Sequence, residues 1–74
     1  MDGILELIDM NRKRITGRLE QTPRGFAVIT DAGERWVIED CVPDSALLGN
    51  NVIAEGVVSG LDRLRAAWIG SPTA

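Results

Sequence analysis

The fold is decided by residues 26–39, which read FAVITDAGERWVIE. Two runs rich in β-branched and aromatic residues flank a turn sequence at residues 31–34, and this pattern is typical of a β-hairpin. We therefore predict strands at residues 26–30 and 35–39. The glycine at position 33 favours a turn because it adopts positive backbone angles at little steric cost.

The register of this hairpin depends on the length of its loop. A two-residue loop pairs Thr30 with Arg35 and sets Phe26 opposite a glutamate. A three-residue loop pairs Thr30 with Glu34 instead, and it suits Gly33 as the left-handed residue of a type I turn with a bulge. We predict the longer loop, because it gathers the large side chains on one face. That face carries Phe26, Val28, Trp36 and Ile38.

Glycine and proline punctuate the rest of the chain at short intervals, which favours a small all-β barrel or sandwich. Alternation of apolar and polar residues predicts further strands at residues 15–21, 52–58 and 61 or 62–69. Residues 44–49 predict one helical turn, with Asp44 or Ser45 as its cap and Gly49 at its end. In the fifth strand, Leu64, Ala66 and Trp68 are predicted to face inward. The predicted core comprises Leu19, Phe26, Val28, Trp36, Ile38, Val52, Leu64 and Trp68.

The order of three strands, a helical turn and two strands resembles the OB fold. The resemblance is carried by Thr16-Gly17-Arg18-Leu19, by Phe26-Ala27-Val28 with Asp31-Ala32-Gly33 and Trp36-Val37-Ile38, and by residues 48–56, LGNNVIAEG. These segments are similar to the short OB-like domains of uncharacterised bacterial proteins. The resemblance covers residues 15–69 and implies a small five-stranded OB-like β-barrel. It implies no particular function, because OB barrels host many activities.

The composition excludes several classes of chemistry. The chain has 74 residues, with 8 Lys or Arg, 11 Asp or Glu and no His, so its net charge is -3. Without histidine there is no imidazole base, no His-dependent triad and no His metal ligand. The single cysteine, Cys41, excludes an internal disulfide and a Cys-x-x-Cys site. We therefore expect a protein that is not an enzyme and that uses no cofactor or metal.

The compartment is predicted from the same features. An unpaired cysteine fits a reducing environment, and the acidic start of the chain is unlike a secretory signal. No apolar run is long enough to span a bilayer. The prediction is a cytoplasmic protein with no membrane partner.

An apolar outer surface is predicted to need cover. Ala27, Ile29 and Val37 fall on the outer face of the hairpin, where contiguous apolar residues favour a partner. Residues 1–14 form a predicted N-terminal extension, either a short helix or an extra strand followed by a basic connection, and residues 70–74 a flexible tail. The extension provides cover, or a second copy does, since small domains gain burial by association. The candidate interface residues are Ile4, Leu5, Leu7, Ile8, Ile29 and Val37.

Basic residues are concentrated in residues 10–30, which hold five of them against one acid. In the OB arrangement the first strand and loop border the ligand face, so Arg18, Arg24 and Arg35 are candidate ligand-binding residues. The prediction is a non-catalytic binding or protein-interaction module that associates with itself or with another protein. The alternative is a single-stranded nucleic-acid-binding OB domain. Nucleic acid is not favoured, because the predicted core takes all the aromatic rings and leaves no stacking platform.

Overall fold

The structure is a computed structural model, and it describes residues 12–72. These residues form five strands and one short 3-10 helix between the third and fourth strands. The strands are β1 (Arg12–Thr22), β2 (Gly25–Thr30), β3 (Arg35–Glu39), β4 (Asn51–Val58) and β5 (Arg63–Gly70), and the 3-10 helix spans Ser45–Leu47. The prediction of an all-β chain with one helical turn is confirmed.

Each strand pairs with two others. β1 is antiparallel to β2 and β4, β2 to β3 and β4 to β5, whereas β3 runs parallel to β5. The pairing closes in the order β1-β2-β3-β5-β4. The first half of β1 pairs with β4 and its second half pairs with β2. Gly17 and Arg18 pair with both strands. Every strand therefore has a hydrogen-bonded neighbour on each side over part of its length.

The hairpin of β2 and β3 has the predicted register. Val28 pairs with Trp36, and Phe26 pairs with Ile38. The N–H of Thr30 donates to the carbonyl oxygen of Glu34 at 2.9 Å, and Gly33 has φ 86°. These pairs confirm the three-residue loop. The turn chemistry and the clustering of the large side chains both favour this register.

The core fills the interior of the ring of strands. Leu19, Val28, Val52 and Leu64 are fully buried. Trp36 is only 8% exposed, and its Nε1 has no hydrogen-bond partner within the described residues. The Nζ of Lys13 lies 5.5 Å from the centre of the Trp36 ring. The rest of the buried cluster is Ile15, Ile38, Ala54 and Ala66, with Phe26, Cys41, Leu47, Leu48, Val58 and Ile69 packed against it.

The prediction that Trp68 faces inward is wrong. Trp68 pairs with Glu55, but the next pair along the strands joins Ala66 with Gly56, so Ala67 is an extra residue on β5. A bulge of this kind shifts the alternation by one residue. Trp68 is consequently outside and 49% exposed. Ile69 packs against the core in its place.

Three other expectations need adjustment. Ala27 lies on the outer face but is fully buried, because its register neighbours Glu20 and Val37 carry larger side chains on that face. β1 begins at Arg12, so the predicted basic connection is strand from that residue onward. The predicted strand start at residue 61 or 62 moves to Arg63.

The helical turn is capped by Asp44, whose carboxylate accepts a hydrogen bond from the N–H of Ala46 at 3.0 Å. Gly49 follows with φ 81°, as expected of a residue that ends a turn. The predicted helix or strand at the start of the chain, with Ile4, Leu5, Leu7 and Ile8, lies outside the described residues. Between residues 12 and 72 there is no helix of the length and apolar character needed to cross a membrane.

Candidate functional site

An open groove of about 860 Å³ runs alongside β3. One wall is the turn between β1 and β2, and the other is the end of the loop that leads into β5. The groove is lined by Thr22, Pro23, Arg24, Arg35, Val37, Ile38, Glu39, Asp40, Asp62, Arg63 and Arg65.

Strand alternation decides which side chains reach the groove. On β3, Trp36 and Ile38 are buried in the core, so Arg35, Val37 and Glu39 point to the outer face. On β5, Leu64 is buried, and its neighbours Arg63 and Arg65 point outward. The parallel pairing of β3 with β5 sets Val37 beside Arg63 and Glu39 beside Arg65. Arginines and carboxylates from two strands therefore share one surface.

Two of the groove arginines are held by carboxylates of the same surface. Arg63 Nη1 lies 3.6 Å from Glu39 Oε2, and Arg65 Nε lies 3.0 Å from Asp40 Oδ2. The hydroxyl of Ser59 also donates to Glu39 Oε1 at 2.7 Å. All four charged side chains are partly exposed, so each pair adds little to stability. Their effect is to neutralise this part of the groove.

Arg24 and Arg35 form no ion pair with any residue that the structure describes, and neither does Asp62. Arg35 begins β3, whereas Arg24 lies in the turn that precedes Phe26, the partner of Ile38. The distance along β3 from Arg35 to Ile38 is about 10 Å. The main-chain positions of the two unpaired arginines therefore lie near opposite ends of β3.

The predicted ligand-binding residues are divided by the structure. Arg24 and Arg35 line the groove, but Arg18 does not. Arg18 lies on β1, where its Nη2 is 2.8 Å from Glu20 Oε2. Of the predicted interface residues, Ile29 and Val37 are half-buried, and Val37 lines the groove.

Sequence reasoning did not assign Arg63 and Arg65 to the groove. Their alternation with Leu64 correctly predicts that they face outward, but it does not reveal which strand lies beside them. That information is in the parallel β3–β5 pairing, which joins residues more than twenty positions apart.

Comparison with known proteins places most of the barrel in a family. The profile described as protein of unknown function (DUF5818) matches residues 16–72. The chain belongs to the DUF5818 family. The matched residues include every residue that lines the groove, so the groove is part of the family domain. Neither the curated proteins nor the solved structures contain a match to the chain.

Proposed function

We propose that this chain is a non-catalytic binding module of the OB type, and that its groove holds an acidic stretch of polypeptide. The observation that carries the proposal is the position of Arg24 and Arg35. They start from opposite ends of β3 and line a groove whose other arginines are already paired with carboxylates. A ligand that carries several negative groups along an extended backbone, such as an acidic peptide, matches this arrangement.

The OB assignment is supported by the order of strands in the sheet. The ring β1-β2-β3-β5-β4 has one parallel contact, between β3 and β5, and its helical turn falls between β3 and β4. In OB barrels, ligands occupy the face of strands 2 and 3 between the first and last strand-joining loops. The groove runs alongside β3 and is bounded by those two loops.

A non-catalytic role is supported by the side chains at the groove. Its titratable groups are arginines and carboxylates, and arginine stays protonated in proteins, so it does not serve as a base. Two of the three carboxylates are held in ion pairs. Asp62 remains, but no hydroxyl or thiol nucleophile accompanies it other than Thr22. Binding is the simpler role for such a surface.

Single-stranded nucleic acid is the alternative ligand for the same guanidinium groups. Proteins that bind single strands combine cationic grooves with aromatic rings on which bases stack. The residues that line this groove include no aromatic side chain. An acidic polypeptide needs only the two unpaired cationic groups, so we favour it.

The test uses a fluorescein-labelled octa-aspartate peptide and anisotropy at low salt. Arg24→Ala and Arg35→Ala should each weaken binding by roughly two- to fivefold, the range of an exposed ion pair. Arg18→Ala is the matched control, because it removes the same charge outside the groove. An octa-serine peptide should not bind. Equal losses for all three variants would contradict the groove as the site, and tighter binding of an oligodeoxythymidine would favour the alternative.

A further inference from the structure

The outer face of β1, β4 and β5 carries the largest exposed ring of the described residues. Trp68 is 49% exposed on β5. Its position follows from the bulge at Ala67, which turns the ring outward. Bulges that re-aim a side chain are commonly functional features of a sheet. The bulge interrupts the β4–β5 hydrogen-bond ladder and exposes a large aromatic ring, which suggests that this ring has a function.

The Trp68 ring packs directly over Gly70. A Cβ added at Gly70 would lie less than 3.0 Å from Cζ2 and Cη2 of Trp68, with Cε2 the next nearest atom at 3.1 Å. Because Cζ2 and both of its ring neighbours are the closest atoms, the glycine lies under the face of the ring and not at its edge. One ring face is therefore set against the strand, and the opposite face is turned away from the sheet.

The neighbours of Trp68 carry both apolar groups and both signs of charge. In the register, Arg14, Glu55 and Trp68 form one row across β1, β4 and β5. The row on one side contains Ile53, opposite Gly70, and the row on the other contains Val57, which is 39% exposed. We call Arg14, Ile53, Glu55, Val57 and Trp68 the tryptophan face.

We propose that the tryptophan face binds the same face of a second copy of this chain. Interfaces have a centre of buried aromatic and aliphatic groups, rich in Trp and Arg, inside a polar rim. A two-fold contact brings identical surfaces together, so a patch must complement itself. The ion pair of Arg14 with Glu55 supplies both charges in adjacent positions. Each protomer therefore offers a guanidinium group and a carboxylate to the other around the stacked apolar groups.

Charge pairing argues against a nucleic-acid strand on this face. On β1 and β5 beside this face, Arg14 is paired with Glu55 and Arg65 with Asp40, whereas Arg12 forms no ion pair with any described residue. Lys13 alternates with Arg12 and Arg14 along β1, and its Nζ lies over the Trp36 ring. One free cation is too few to hold a phosphate backbone.

The described barrel has no net charge to oppose pairing. All eight basic residues of the chain lie within it, together with eight of the eleven acids, because Asp2, Glu6 and Asp9 precede Arg12. The net charge of -3 of the full chain therefore comes from these three acids, and the barrel itself adds no long-range repulsion. The tryptophan face does not include the groove residues Arg24 and Arg35, so dimers form whether or not the groove binds acidic peptides.

Sedimentation velocity of the full chain over a wide concentration range tests the proposal. The wild type should associate reversibly to a dimer, and Trp68→Ser should raise the dissociation constant about tenfold or more, as for an interface hot spot. Gly70→Ala keeps the ring but displaces it from its position over residue 70, so this change should weaken the dimer as well. Leu61→Ser is the control, because it removes a fully exposed leucine from the loop before β5. Circular dichroism should show that all three variants fold.

A second measurement follows the ring itself. Iodide should quench Trp68 in dilute protein, and the quenching should fall as concentration rises and the ring is buried between copies. A wild type that stays monomeric at every concentration would overturn the proposal. So would an equal loss of association in Leu61→Ser, or protection of Trp68 by an oligodeoxythymidine in place of a second copy.

Discussion

Gly17 on β1 lies directly against the main chain of Ile29 on β2. A Cβ added at Gly17 would come within 3.0 Å of both the carbonyl oxygen and the carbonyl carbon of Ile29. Gly17 is also one of the two residues at which β1 pairs with β2 and β4 together. The point where β1 passes from β4 to β2 is therefore a residue without a side chain. Glycine is often found at such tight bends in barrels.

Gly17→Ala should destabilise the barrel strongly. The methyl group meets backbone atoms that cannot rotate away, so β1 and β2 must move apart. We expect a loss of about 1 to 3 kcal/mol in the free energy of unfolding, typical of overpacking, measured by urea denaturation. Gly60→Ala is the control, because the nearest atoms to its Cβ lie at 3.5 Å, an ordinary contact distance. Equal stability of the two variants would contradict the close approach.

The two tryptophans should lose very different amounts of stability on the same truncation. Trp36→Ala leaves a cavity among Val28, Ile38 and their neighbours, and it should cost about 3 to 5 kcal/mol, close to the whole stability of a small domain. Trp68→Ala removes an outward ring and should cost well under about 1 kcal/mol in dilute protein. Thermal melts followed by circular dichroism compare them. A larger loss in Trp68→Ala would contradict the outward position of its ring.

The hairpin was predictable because two local signals agree. The turn chemistry at Gly33 and the gathering of Val28 with Trp36 both select the same register. Trp68 was not predictable by the same means, since alternation assumes an unbroken ladder and Ala67 interrupts it. The residue in the sequence that could have indicated the bulge is Gly56, next to the shift in register. A glycine inside a strand marks a bulge or a close approach, and a Cβ at Gly56 would lie within 3.0 Å of Arg65 O.

The groove was only partly predictable for a different reason. Arg24 and Arg35 are identifiable from the first turn and from the start of β3, because these positions follow from local patterns. The contribution of Arg63 and Arg65 depends on which strand lies beside β3. That pairing is parallel and long-range, and no short stretch of sequence encodes it.

The helical turn offers a test of capping. The sequence leaves Asp44 and Ser45 as equal candidates, and the structure shows the carboxylate of Asp44 accepting the Ala46 N–H. Asp44→Ala should therefore cost about 1 kcal/mol, the usual loss for a cap. Ser45→Ala should be nearly neutral, because its hydroxyl makes no cap hydrogen bond within the described residues. Urea midpoints of the two variants decide the question, and a larger loss for Ser45→Ala would reverse the assignment.

Short single-stranded oligonucleotides should not bind at physiological salt, about 150 mM. The groove offers two unpaired guanidinium groups, Arg24 and Arg35, and no stacking ring. Two phosphate contacts on a single strand give a salt slope of only about -1.4, since each contributes about 0.7. So few contacts support weak binding at low salt and little at physiological ionic strength.

Fluorescence anisotropy with a labelled oligodeoxythymidine, titrated at several salt concentrations, measures this directly. Arg24→Ala and Arg35→Ala should each flatten any residual slope by about 0.7, whereas Arg18→Ala, whose guanidinium pairs with Glu20, should leave it unchanged. The opposite result is equally clear. Micromolar binding at about 150 mM salt, lost in the two groove variants and kept in Arg18→Ala, would assign the groove to nucleic acid and not to an acidic polypeptide.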